Sequence, residues 1–455
     1  MYVEPDHFFH LTYCTNIHPG NGWSEVYANL RRYVPALKAR FAPRNAFGIG
    51  LRLSGRESSE LLQGDHLQQF QYFLQEHGLY VFTLNGFPYG PFHQQPVKAL
   101  VHAPDWRDEE RVAYTLRLIE ILAFLLPDGI DGSISTSPLS YKTWVNIQDP
   151  TAWRGFTRNI VRIAEALVRV KHEHNKLIHL AIEPEPDGLL ENSEEVVRFY
   201  THWLLEEGAR LLSDALAVSR DEARSHLLEH IRVCFDTCHV ALAYEEPAAV
   251  LDRFDQIGIK IGKVQISSAL KVVFPGEEQA RVDIARALEP FAESTYLHQV
   301  VQQHHDGTFR HYPDLIEALP HIQDRQIAQW RIHFHVPIFI DHFPSFQSTQ
   351  DTLADTLDLL AQRRFCRHLE IETYTWSVLP EDLKKDLLDS IAREYEWVLK
   401  KRICVRRFQS IGHGGRRCTG TWPWPAYPTA LRWSVTSWLE RLWQASSGLT
   451  ASWVL

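Results

Sequence analysis

The sequence predicts an α/β chain whose main unit is a (β/α)8 barrel. Three observations carry this expectation. Eight strand-length apolar runs alternate with longer helical patterns, nearly every run ends in polar residues, and no nucleotide-binding glycine loop follows the first run. Alternating strands and helices imply a parallel sheet covered by helices, and eight repeats favour a closed barrel over an open doubly wound sheet.

The runs are "FFHLTYCTN" (8–16), "FGIGLRLS" (47–54), "LYVFTLNG" (79–86), "GSISTSP" (132–138), "LIHLAIEPEP" (177–186), "IRVCFDTCH" (231–239), "GKVQISSAL" (262–270) and "HLEIETYTW" (368–376). Each is rich in β-branched or aromatic residues and of strand length. Between them lie amphipathic stretches such as "DEERVAYTLRLIEILAFLL" and "RGFTRNIVRIAEALVRVKHEH", with apolar residues three and four apart. A ninth run, "WRIHFHVPIFI" (330–340), does not fit the count and is placed in an enlarged connection between strands seven and eight, about 271–360. The missing G-x-G-x-x-G and G-x-x-x-x-G-K-[ST] patterns remove the main support for dinucleotide and P-loop readings.

Composition narrows the class. The 455 residues are 45% hydrophobic and 23% charged, ample for a core, and the net charge of -9 argues against a general nucleic-acid partner. The start has no basic segment ahead of an apolar run, so a signal peptide is not expected. "LIEILAFLLP" (118–127) is far short of the roughly 18 apolar residues of a spanning helix. Cys14, Cys234, Cys238, Cys366, Cys404 and Cys418 show no metal-ribbon spacing. A soluble, cytoplasmic protein with reduced thiols is the expectation. From Lys401 the text changes: residues 401–455 carry eight Lys/Arg against Glu440 alone, a net +7 that leaves -16 on the first 400 residues. Six of the 14 Trp lie beyond residue 420. A basic Trp-rich tail outside a 1–400 barrel domain is the favoured division. The alternative is a membrane-surface or partner-binding helix with Leu431, Val435, Trp438, Leu439 and Leu442 on one face.

The polar strand ends carry the chemistry. Asn16 and His18, Asn85, Ser137, Glu183 and Glu185, Asp236 and His239, Gln265, and Glu370 and Glu372 all follow apolar runs. In a barrel of this kind, residues at the C-terminal ends of the strands converge on one pocket. Strands of a covered parallel sheet normally read as continuous apolar runs, so two strands with paired glutamates point to carboxylates aimed at a cation. His333 and His335 add imidazoles of one parity. Oxygen donors with one or two imidazoles suit Mn, Mg, Fe or Zn.

A Glu ending strand five, D-x-x-H ending strand six and a Glu ending strand eight resemble the xylose-isomerase-like TIM-barrel superfamily of sugar isomerases and epimerases. More narrowly, "LTYCTNIHPG", "FTLNGFPYGPFH", "IEPEPDG", "CFDTCHVA", "KVQISS", "HFHVPIF" and "HLEIETYTWSVLP" together resemble the EboE-type metabolite traffic proteins, across roughly residues 5–400. The resemblance implies one divalent metal on Glu183, Asp236 and Glu372, with Gln265 standing where those epimerases have a strand-seven His and His335 as a replacement. It implies proton exchange through an enediolate by Glu183 and Glu372, and substrate contact by His239. Asn16, His18, Asn85, Lys263, His333, Glu185 and Glu370 are the further candidates for lining the substrate pocket. The expected partner is a small-molecule metabolite, joined by a membrane or export-machinery partner if the traffic resemblance holds. Two other functions compete: a non-catalytic metabolite carrier, and, ranked below for want of a basic face, a zinc-dependent abasic-site endonuclease.

Overall fold

The computed structural model describes residues 1, 3, 8–91, 98–292, 297–374, 376 and 386–401. The tail expected outside the barrel falls almost wholly beyond these residues. Among the described residues, no helix is long and apolar enough to cross a membrane.

Seven parallel strands come first: β1 (His10–Tyr13), β2 (Phe47–Arg52), β3 (Leu79–Asn85), β4 (Gly132–Thr136), β5 (Ile178–Ile182), β6 (Ile231–Asp236) and β7 (Ile261–Ile266). After β7 the chain builds a second sheet from β8 (Leu270–Val273), β9 (Val300–His304), β10 (Phe309–Tyr312), β11 (Ile327–Ile332) and β12 (Gln347–Ser348), then returns to the first through β13 (His368–Ile371). The first sheet runs β1-β13-β7-β6-β5-β4-β3-β2 with every pairing parallel. All eight runs read from the sequence are therefore its strands.

The seam between β1 and β2 closes differently from the ladders. A parallel bridge joins Cys14 to Gly50. Beside it, Thr12 Oγ1 accepts the Gly50 N–H at 2.8 Å and donates to the Gly48 carbonyl at 3.0 Å. Arg52 N–H donates to Thr15 Oγ1 at 2.9 Å. Threonine hydroxyls thus take the place of backbone partners along that edge and complete a TIM barrel.

Helices cover the outside. Asp149 accepts from Thr151 N–H at 2.8 Å and Pro150 occupies the first turn, so the helix Pro150–His174 starts there. It stops at Asn175, whose φ of 53° suits the left-handed conformation that ends helices. The Glu109–Leu125 helix buries Val112, Leu118, Ile119 and Leu122 in the main core.

The enlarged connection is a folded unit rather than a loop. Its antiparallel sheet, ordered β10-β9-β11-β8-β12, encloses a separate core that includes Leu270, Val272, Val300, Trp330, Ile332 and Phe334. The unit ends earlier than the expected residue 360. The helix Gln350–Arg363 packs Leu353, Leu357 and Leu360 into the barrel core, not the insert's. The ninth run contributes the end of β11 and then the segment 333–340, which carries His333 and His335 back to the barrel mouth.

Candidate metal centre at the barrel mouth

Asp236 is the last residue of β6 and caps the next helix, Thr237–Leu242. Its Oδ1 accepts from Cys238 N–H at 2.8 Å, His239 N–H at 3.3 Å and Ser267 Oγ at 2.5 Å. Three donors fix one carboxylate oxygen and aim the other. Asp236 Oδ2 is buried and has no hydrogen-bond partner among the described residues. The interior strand ends in Asp because one oxygen starts the next helix while the other faces the site.

Around Oδ2 stand four more groups. Oxygens of Glu183, Asp236 and Glu372 all lie within 4.8 Å of one another, and so do one ligand atom each of Asp236, His239 and His335. His335 Nε2 is 3.9 Å and His239 Nε2 4.0 Å from Asp236 Oδ2, and His335 Nδ1 is 3.7 Å from Glu372 Oε2. Donors held about 2.0–2.2 Å from a cation are at most roughly 4.4 Å apart, so small side-chain shifts would suffice to enclose one.

The imidazoles are oriented by acceptors. His239 Nδ1 is 3.0 Å from the Pro184 carbonyl and His335 Nδ1 is 2.9 Å from the Glu372 carbonyl. A carbonyl only accepts, so both rings carry a proton on Nδ1. His333 Nδ1 meets Gln299 Oε1 at 2.8 Å, and Gln299 is held in that sense because its amide donates to the Pro186 carbonyl at 3.2 Å. His239 and His333 therefore turn unprotonated Nε2 atoms toward each other at 3.1 Å. Two facing lone pairs repel unless a cation or proton lies between them. Tautomers fixed by carbonyl acceptors are what metal-binding histidines use.

Electrostatics agrees with a site built for positive charge. Burial, followed by the Asp236 charge, holds Glu183 well above the usual carboxylate range. Burial also pushes Glu372 up to about 8, with Glu183 and Asp236 adding to it and His335 opposing. Burial acts the same way on Asp236, but His239, His335 and the Ser267 hydroxyl outweigh it and keep Asp236 below its ordinary value. Burial brings His239 down to about 4 and His333 well below its ordinary value. Crowded carboxyls that resist ionisation without a counter-charge fit a divalent cation.

Other sequence candidates divide into mouth and scaffold. Asn16 donates to Glu372 Oε1 at 2.7 Å and lines a cleft together with Asn85, Glu183, Glu185, His239, His333, His335 and Glu372. Lys263 and Glu370, both fully buried, form an ion pair with each other beneath this cleft. Asn85 donates to both Glu370 oxygens at 3.0 Å and accepts from Lys263 at 2.7 Å and Gln265 at 3.0 Å. Burial alone would lower the Lys263 pKa; the Glu370 charge raises it instead. Gln265 thus spends its amide N–H on Asn85 and does not line the cleft. His18 binds the Tyr13 hydroxyl at 2.8 Å, stacks on Tyr33 and lines a separate, smaller cavity with Arg52 and Glu57. Cys238 is fully buried and its thiol pKa is raised well above normal, chiefly by burial, so it stays protonated beside the histidines.

Sequence reading missed Gln299 and His102. Gln299 orients His333, and His102 stands 3.3 Å from Glu185 in the cleft wall. Neither stands at the end of a barrel strand, so nothing in the strand pattern marks them.

No family model and no curated protein matches the chain. Solved structures that resemble it include a xylose isomerase-like TIM barrel protein from Mycobacterium smegmatis in complex with magnesium, 11% identical with a TM-score of 0.46, covering 87% of this chain and 97% of that one. A probable 3-DHS dehydratase involved in petrobactin synthesis from Bacillus anthracis is 10% identical, covering 85% and 97% with a TM-score of 0.40. The IOLI protein with a bound zinc atom is 12% identical, covering 86% and 98% with a TM-score of 0.41. The barrel assignment itself rests on the parallel strand order and the closure at Cys14 and Gly50.

Proposed function

We propose that the protein is a metal-dependent isomerase or epimerase of a sugar or sugar-like metabolite. The observation that carries this reading is the meeting of Glu183, Asp236 and Glu372 around the unpartnered Asp236 Oδ2, with His335 and His239 at its edge. Asp236, His335, Glu183 and Glu372 would hold a divalent cation; mixed oxygen and imidazole donors suit Mn, Fe or Zn, and Mg less well. When bound, that cation supplies Lewis-acid stabilisation of the negative charge that develops on adjacent carbonyl and hydroxyl oxygens.

The chain's own groups do the proton work. Glu183 comes from the end of β5 and Glu372 from the end of β13, so they approach a substrate carbon from different sides. One takes the proton from carbon and the other returns it, the usual division of acid and base between two carboxyls whose environments differ. Asn16, bonded to Glu372 Oε1, fixes the direction of that carboxyl. His239 and His333 remain available to substrate oxygens or to a second cation between their Nε2 atoms.

Glu372→Gln tests this reading. Proton transfer by a placed carboxyl contributes about 10²–10⁴-fold, so turnover of a working ketose should fall at least a hundredfold while the melting temperature stays within a few degrees. Retained turnover refutes the assignment. The motif string also supports a narrower reading, an EboE-type metabolite traffic protein, in which the same cleft carries a metabolite without converting it. Metal analysis of the purified protein separates the two: about one or more equivalents of Mn, Fe or Zn supports catalysis, and none after preparation with those ions supports carriage.

A further inference from the structure

The cleft has a second polar pair besides the groups that surround Asp236 Oδ2. Glu185 lies two residues beyond Glu183, and His102 ends the short helical turn Lys98–His102. Both side chains are almost wholly buried, at 6% and 1% exposure, and both line the cleft. His102 Nδ1 and Glu185 Oε1 are 3.3 Å apart, yet neither atom has a hydrogen-bond partner among the described residues. The imidazole is held by rings: Tyr141 at 5.2 Å and Phe87 at 6.0 Å between centroids.

Buried polar atoms without partners are uncommon in folded proteins and call for a reason. An adjacent, unpaired imidazole nitrogen and carboxyl oxygen can each take one bond from the same hydroxyl group, which both donates and accepts. We propose that His102 and Glu185 form a hydroxyl-reading subsite that takes the far end of a polyhydroxylated substrate of five or six carbons, while its carbonyl end meets Glu183 and Glu372. This rests on the sugar isomerase or epimerase reading for the identity of the near end.

The test is a binding comparison on the Mn-supplemented full-length protein, using dihydroxyacetone, D-xylulose and D-fructose as probes by calorimetry or ligand-observed NMR. The wild type should bind D-fructose at least about tenfold more tightly than dihydroxyacetone. Glu185→Gln and His102→Asn, each checked for an unchanged melting profile, should cut that preference to about two- to threefold and leave the dihydroxyacetone constant as it was. Should His102→Asn fail to fold, the near-isosteric Glu185→Gln decides alone. Equal weakening of all three probes, an unchanged preference in both variants, or no preference in the wild type overturns the subsite. The readout is binding rather than turnover, so a catalytically silent protein that still prefers longer chains would refute the isomerase reading and leave the subsite standing.

Discussion

Gly50→Ala should be among the most damaging single-methyl additions in the barrel. A Cβ built on Gly50 would sit 1.7 Å from Glu370 Oε1, 2.7 Å from its Cδ and 2.8 Å from the Tyr13 carbonyl. Ordinary contact begins at 3.4 Å, so the carboxyl would have to retreat by about 1.7 Å, the difference between the two values. That retreat pulls Glu370 away from Lys263 and from both 3.0 Å bonds with Asn85. Stranding a buried charge costs about 3–5 kcal/mol, and overpacking adds about 1–3 kcal/mol. A total of at least about 4 kcal/mol is a large share of the roughly 5–15 kcal/mol that holds a domain together. With an unfolding entropy of about 2.1 cal/mol/K per residue over roughly 400 residues, 4 kcal/mol corresponds to a melting shift of about 5 °C. Differential scanning calorimetry reads this directly. Adding Glu370→Ala and Lys263→Met to Gly50→Ala should recover at least half of the loss, because the clash and the stranded charge leave together. A Gly50→Ala protein that melts within about 1 °C of wild type would show that Glu370 is not locked in the barrel interior, and would reopen a substrate role for it.

Asp236→Asn keeps an oxygen to cap the Thr237–Leu242 helix and removes the charge at the unpartnered oxygen. Folding should survive within about 1–2 kcal/mol, while Mn or Zn affinity by calorimetry falls at least a hundredfold; undiminished metal binding refutes the centre. The wild type should lose melting temperature on exhaustive chelation and regain it on metal return, through the mass-action gain of a native-state ligand, and Asp236→Asn should show neither change. Glu394 is buried in the helix Leu387–Lys400 and its pKa is pushed up to about 8 by burial. The folded protein therefore keeps that proton from about pH 4.5 to 8 while the unfolded chain releases it, so this group's contribution to stability falls as pH rises through that window. Glu394→Gln retains the oxygen that accepts from Thr373 Oγ1 at 2.6 Å and Ile338 N–H at 3.3 Å. It should match wild type near pH 5 and exceed it by roughly 3–4 kcal/mol near pH 8; a gap independent of pH counts against the buried proton.

Strand ends were the most legible part of the sequence. "CFDTCH" and "IEPEP" each break an apolar run with acids where a covered parallel strand should have none, and the structure brings Glu183, Asp236 and Glu372 together at one rim. Parity misled in one place. Glu370 and Glu372 share a face in sequence, but Glu370 is still inside β13, within reach of Lys263, whereas Glu372 is one step past the strand and faces the cleft. A two-residue offset along one strand separates scaffold from mouth, and the sequence pattern contains no depth. The insert's sheet was harder to read, because β10 is exposed at Phe309, Arg310 and His311 and shows no alternation of apolar with polar residues. His18 was read as a pocket residue from its place after the first apolar run, but the turn that follows β1 sends it to Tyr13 and Tyr33 instead.

His333 and His335 reach the rim only because the segment after β11 leaves a sheet that is not part of the barrel. Shortening 270–348 to a tight turn would leave the eight staves intact and keep three carboxylates with His239 alone. Such a cylinder would offer a mouth richer in oxygen donors, of the kind that suits hard ions such as Mg. On the metal-dependent reading proposed above, the appended segment thus supplies two of the imidazoles at the barrel mouth, His333 and His335, without altering a single stave.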